Sequence, residues 1–134
     1  MVRGARYVYF GLAWLFVVGL VVQVFYAGMG IFGASNFEPH IGLGWLLHLV
    51  PIPILVAAAV ARAGRVRILW AAALAAVIFL VPILALMRAD APAVAALHPV
   101  LALISFWLAV VVARDATSLF RAADPDPSRE AAPS

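Results

Sequence analysis

The chain contains no cysteine and, among its nine basic residues, no lysine. Without cysteine there is no disulfide framework, no thiolate-held iron–sulfur cluster and no thiol chemistry. Without lysine there is no Schiff-base catalysis. No nucleophile–base arrangement and no glycine-rich phosphate loop can be read along the chain, so no enzyme activity of its own is expected. Charge is scarce as well. Charged residues make up 11% and hydrophobic residues 67%, whereas soluble domains sit nearer about a quarter and about a half. A chain of 134 residues cannot hide that much apolar surface in a water-soluble core.

What remains is four apolar runs: 7–32, 39–61, 68–87 and 93–113. A bilayer core of ~30 Å takes about 20 apolar residues at 1.5 Å rise each, and every run meets that length. Inside lipid each backbone amide must bond within its own segment, so each run is expected to be a helix. The fold class is therefore all-α, an integral membrane antiparallel four-helix bundle, with residues 1–121 as its single domain. The tail from Ala122 to Ser134, rich in Pro, Ala, Asp and Ser, reads as disordered. The first run follows Arg3 and Arg6, as a signal peptide would. It exceeds the roughly 7–15 residues of a signal h-region, however, and no clear cleavage site follows, so it reads as a retained anchor. Asn36 suits a helix N-cap, and Pro39 and Pro92 suit first-turn positions of the second and fourth spans.

Arginine placement predicts topology. Arg3, Arg6, Arg62, Arg65, Arg67, Arg114, Arg121 and Arg129 flank one side of the four runs, and Arg88 stands alone on the other. By the positive-inside rule both termini are cytoplasmic. The arginines form short flanks and no continuous stripe, so nucleic acid is not an expected partner. The lipid bilayer is, and beyond it a second copy of the chain or a membrane redox partner.

The sparse polar residues carry the functional expectation. Gln23 lies 17 residues from Arg6, His48 14 from Arg62 and His98 16 from Arg114, which is ~25, ~21 and ~24 Å of helix. The three share a depth, in the outward half of the bundle. His40 is 22 residues from Arg62, ~33 Å along the helix and so at the outer interface. It is expected to be solvated there, beside Glu38 and Arg88. Each of the three lies on a stripe of small residues: Gly19, Gln23, Ala27, Gly30; then His40, Gly44, His48; then His98, Ala102, Ser105, Ala109. Small residues let another helix, or a flat ligand, approach the backbone closely. Gly44 leaves a notch between two histidines. The third span offers no buried polar group and reads as scaffold, kinked at Pro82.

An intramembrane imidazole is costly unless it faces the bundle interior and finds a partner, and function is its default reading. His48 and His98 on separate helices could give two axial ligands to one haem iron, with Gly44 and Ala102 admitting the porphyrin and Gln23 orienting an imidazole. The chain has no Cys-x-x-Cys-His motif, so that cofactor would be haem b, serving electron transfer or redox sensing. Two other readings compete. The histidines could simply join helices in an accessory or structural membrane protein, or the polar groups could belong to a small transport or proton-handling component. A mononuclear metal site is disfavoured, since His40 and His48 are separated by about 12 Å along the axis.

Three segments also resemble a known family: Gln23-Val-Phe-Tyr-Ala-Gly-Met-Gly-Ile-Phe, Glu38-Pro-His-Ile-Gly-Leu-Gly-Trp-Leu-Leu-His48, and Leu97-His-Pro-Val with Phe106-Trp-Leu-Ala. They are similar to small bacterial four-span membrane proteins classed as a domain of unknown function. That resemblance runs from Val8 to Ala113 and implies a multi-pass protein of the bacterial cytoplasmic membrane. The pattern of histidines on facing helices is similar to b-type membrane cytochromes. Those with two haems use more membrane histidines than this chain has, so the likeness implies one haem at most.

Overall fold

The structure, a computed structural model, describes residues 1–123. Six helices follow in order: α1 Val2–Ile31, α2 Glu38–Leu49, α3 Pro51–Val60, α4 Arg65–Leu86, α5 Pro92–Ala95 and α6 His98–Ala123. They make four spans long and apolar enough to cross a membrane: Val2–Ile31, Glu38–Val60, Arg65–Leu86 and Pro92–Ala122. The bundle is all-helical, as the apolar runs require, with no strand among the described residues. α6 continues ten residues beyond Ala113, through Ala122 and Ala123. The rest of the expected tail lies outside the described residues.

Two spans are broken, and proline breaks both. Pro51 has no N–H for the carbonyl of Leu47, and the chain tightens there instead, with Val50 N–H bonding Leu47 O at 3.2 Å. This divides the second span into α2 and α3. Pro99 likewise cannot bond to Ala95 O. Ala96 and Leu97 form a turn, Leu97 N–H reaching Val94 O at 3.0 Å, and α6 begins at His98. Pro92 opens a short helix, as expected, but that helix ends within one turn.

The helix ends show how the hairpins close. At the end of α1, Gly33 takes φ +73°, and Ala34 N–H bonds Met29 O at 2.9 Å. At the end of α3, Ala63 N–H bonds Ala58 O and Arg62 N–H bonds Ala59 O. Both are Schellman closures, which place one residue in the left-handed region. In the second that residue is Arg62, at φ 53°, a position where glycine would be less strained. Asn36 acts one residue ahead of the N-cap position: its Oδ1 accepts from Glu38 N–H at 3.1 Å, while Phe37 is the N-cap.

The helices pack as a ring, α1 against α2 and α3, these against α4, α4 against α6, and α6 back on α1. Phe120 stacks on Phe10 at 4.6 Å and meets Tyr7 edge-on at 5.0 Å, so α1 begins and α6 ends at one end of the bundle. That end also holds the Arg62–Arg67 turn. The fully buried side chains, including Tyr9, Phe16, Ile54, Leu74 and Val112, lie toward it. No histidine belongs to that core. All three sit farther along, where the bundle is only half-buried.

Candidate functional site

The structure gives every membrane histidine a backbone partner on another helix. His40 Nδ1 donates to Gln23 O at 3.1 Å, His48 Nδ1 to Ile78 O at 3.2 Å, and His98 Nδ1 to Val81 O at 2.9 Å. A carbonyl oxygen has no proton to give, so Nδ1 must carry the hydrogen in all three rings. In the neutral form of each ring the lone pair is then on Nε2. Among the described residues no hydrogen bond is made to any of those three Nε2 atoms.

Gln23 and His40 hold each other twice. While His40 donates to the Gln23 carbonyl, Gln23 Nε2 donates to His40 O at 2.8 Å. The notch at Gly44 is what allows it. A Cβ at Gly44 would lie 2.8 Å from Gln23 Nε2, so the gap admits the amide of the neighbouring helix. The small stripe of α1 works the same way: Leu47 occupies the space over Gly19 and Phe37 the space over Gly30. The Oε1 atom of Gln23 is buried without a donor.

His98 faces His40. Their ring centres lie 6.4 Å apart at an interplanar angle of 69°, with His40 also edge-on to Phe37. His48 occupies a different surround, 4.3 Å from the Phe79 ring and 5.9 Å from Trp45, both exposed. The carbonyls bonded by His48 and His98 are three residues apart on α4, about 4.5 Å of rise, so those two rings lie within roughly one turn of each other in depth. His40, expected at the outer interface, is half-buried, bonds Gln23 and faces His98.

The remaining expected residues divide. Ser105 is buried but bonds its own helix, donating to Leu101 O at 2.8 Å. Ala102 is half-buried on the same face of α6. Glu38 and Arg88 are exposed at the arginine-poor end, outside the hydrogen-bonded group. No cluster of three or more His, Cys, Asp or Glu forms among the described residues.

The contribution of α4 is what residue types concealed. This helix, read as scaffold, supplies acceptors to two of the three histidines through its backbone. Pro82 is the legible sign. It lacks the N–H that would bond Ile78 O four residues earlier, and His48 supplies the missing donor. Trp14 Nε1, donating to Thr117 Oγ1 at 2.9 Å, closes the seam between α1 and α6, so each seam of the ring carries an interhelical hydrogen bond.

The model of a family of unknown function (DUF6220) matches residues 23–89, half of the chain. The match takes in Gln23, His40, Gly44, His48 and Pro82 and ends before His98. No curated protein and no solved structure matches the chain.

Proposed function

Because the chain belongs to that family, whose description assigns no activity, we propose its role from the site alone: it holds one b-type haem at the arginine-poor end of the bundle, for electron transfer or redox sensing. The observation that carries the reading is the shared pairing of each Nδ1 with a helix carbonyl. An imidazole ligates iron through one nitrogen while the other donates a hydrogen bond that fixes the ring and raises its basicity. His40, His48 and His98 all have that second bond to a helix carbonyl, with Nε2 left available. The residues present fit such a group in donor chemistry.

His40 and His98 are the favoured ligands. Their rings face each other with 6.4 Å between centres, so these two residues would hold the group. The pairing of His48 with His98 is the alternative. When bound, the haem supplies one-electron redox chemistry. The chain's own contribution is to fix two imidazoles through Gln23 O and Val81 O, to carry an acceptor at Gln23 Oε1, and to wall the site with apolar side chains. With the arginine-rich end cytoplasmic by the positive-inside rule, the site lies near the outer face of the bacterial cytoplasmic membrane, within reach of a membrane redox partner. The test is the visible spectrum of the protein purified in mild detergent from haem-replete cells. A low-spin haem spectrum supports the reading. A colourless protein that takes up no haem on reconstitution overturns it.

A second reading has its own observation. The same hydrogen bonds tie α1 to α2, α2 to α4 and α4 to α6, and Gln23 fills the Gly44 notch. Such bonds could serve cohesion alone, in an accessory membrane protein, since interhelical bonds in lipid contribute about 0.6 kcal/mol on average.

A further inference from the structure

The opposite end of the bundle has a surplus of donors. Arg6 Nε, Tyr9 OH and Arg67 Nε are all buried without an acceptor. Beside Arg67 a cavity of about 410 Å³ opens at the start of α4, lined by Gly64, Arg65, Arg67, Trp70 and Asp115 among others. Three features of that cavity favour an anion. The first turn of α4 presents backbone N–H groups that no side chain caps, and it contains no acidic residue. Two arginines stand at this positive end of the helix dipole, an arrangement that is unfavourable unless negative charge joins it. Arg67 is also held ready, NH1 donating to Ala63 O and NH2 to Ser118 Oγ, each at 3.2 Å.

Asp115 answers this charge only in part. Its carboxylate is 3.9 Å from Arg67 Nε, beyond hydrogen-bond reach, and one carboxylate faces two guanidinium groups. Tyr9 gives an independent sign. It is wholly buried, and its hydroxyl has no hydrogen-bond partner among the described residues. What this end lacks is an acceptor with several oxygens.

We propose that the cavity is a phosphoryl-anion site, filled in the membrane by the headgroup of an acidic phospholipid. The lipid source follows from position. The cavity opens at the flank of an apolar span, and Trp70, an amphipathic ring suited to the interface, stands edge-on to Trp107 at 5.9 Å. Leu69 on α4 and Leu103 and Trp107 on α6 are exposed apolar side chains, a surface against which an acyl chain would lie. Phosphate oxygens take the α4 amides and the Arg65 and Arg67 guanidinium groups.

Native mass spectrometry of the full chain in detergent tests this, with added phosphatidylglycerol, added phosphatidylcholine, or inorganic phosphate. The site predicts one retained phosphatidylglycerol, preferred over phosphatidylcholine, with retention falling about five-fold per arginine removed. Arg65→Gln is the main variant, because Arg65 is exposed and makes no hydrogen bond or ion pair among the described residues. Arg67→Gln should lower retention too, and Asp115→Asn should raise it by removing a like charge. Arg65-dependent thermal stabilisation by inorganic phosphate without phosphatidylglycerol retention would identify a soluble anion and overturn the lipid assignment. Equal retention of both lipids, or no change in Arg65→Gln, together with no effect of phosphate, would overturn the site altogether.

Discussion

His48 and Pro82 should be energetically coupled although they stand on different helices. Pro82 leaves Ile78 O without its donor in α4, and His48 Nδ1–H reaches that oxygen at 3.2 Å. Ile78 is itself only 6% exposed, so water is a poor substitute. His48→Leu in the natural chain therefore removes a hydrogen bond and strands a carbonyl. An unmet buried acceptor costs about 1–3 kcal/mol, while average interhelical bonds in membranes contribute about 0.6 kcal/mol, so a loss of roughly 1–2 kcal/mol is expected. In a Pro82→Ala background the new N–H of residue 82 bonds Ile78 O within the helix. His48→Leu then removes only a surplus bond, at about 0.5 kcal/mol. The coupling is the difference, about 1 kcal/mol, or roughly a five-fold change in the unfolding equilibrium constant. The assay is reversible unfolding of the four proteins in mixed micelles, followed by helical circular dichroism. The cycle subtracts whatever Pro82→Ala does to the bend of α4. Equal costs of His48→Leu in both backgrounds would refute the reasoning.

Other outcomes follow from single positions. Gly44→Ala places a Cβ 2.8 Å from Gln23 Nε2 and should cost about 1 kcal/mol by displacing a hydrogen-bonded amide; in a Gln23→Ala background that cost should vanish in the same unfolding assay. Arg62→Gly should stabilise the bundle by roughly 0.5–1 kcal/mol, because Arg62 holds a left-handed backbone that glycine adopts without a Cβ clash. A reporter fused after Ser134 should be active only in the cytoplasm and one inserted at Ser35 only outside, and the reverse pattern would overturn the orientation drawn from the arginines.

The spans were legible because lipid imposes one rule on every residue in it: about 20 apolar residues, all helical. The small-residue stripes were legible for a similar reason, since Gly19 and Gly30 on α1 and Gly44 on α2 lie on faces read from helical spacing, and they meet Leu47, Phe37 and Gln23. What filled the Gly44 notch was not legible, because that depends on which residue of a neighbouring helix stands opposite. Depth counting treats each span as one straight rod. The breaks at Pro51 and Pro99 shift what lies beyond them, and His40 lands beside Gln23 and His98. Backbone acceptors are hidden more deeply, since Val81 and Ile78 show only aliphatic side chains in the sequence. Proline was the exception: Pro82 announces a free carbonyl four residues earlier, and a donor could have been sought for it.

The proposal of a haem held by His40 and His98 is tested most directly by visible spectra of three variants, His40→Ala, His48→Ala and His98→Ala, each purified from haem-replete cells with its fold checked by circular dichroism. The account predicts that the low-spin spectrum is lost in His40→Ala and in His98→Ala and survives in His48→Ala. Loss in His48→Ala with retention in His40→Ala would contradict the ligand assignment, and a folded natural chain with no haem spectrum at all would contradict the haem itself.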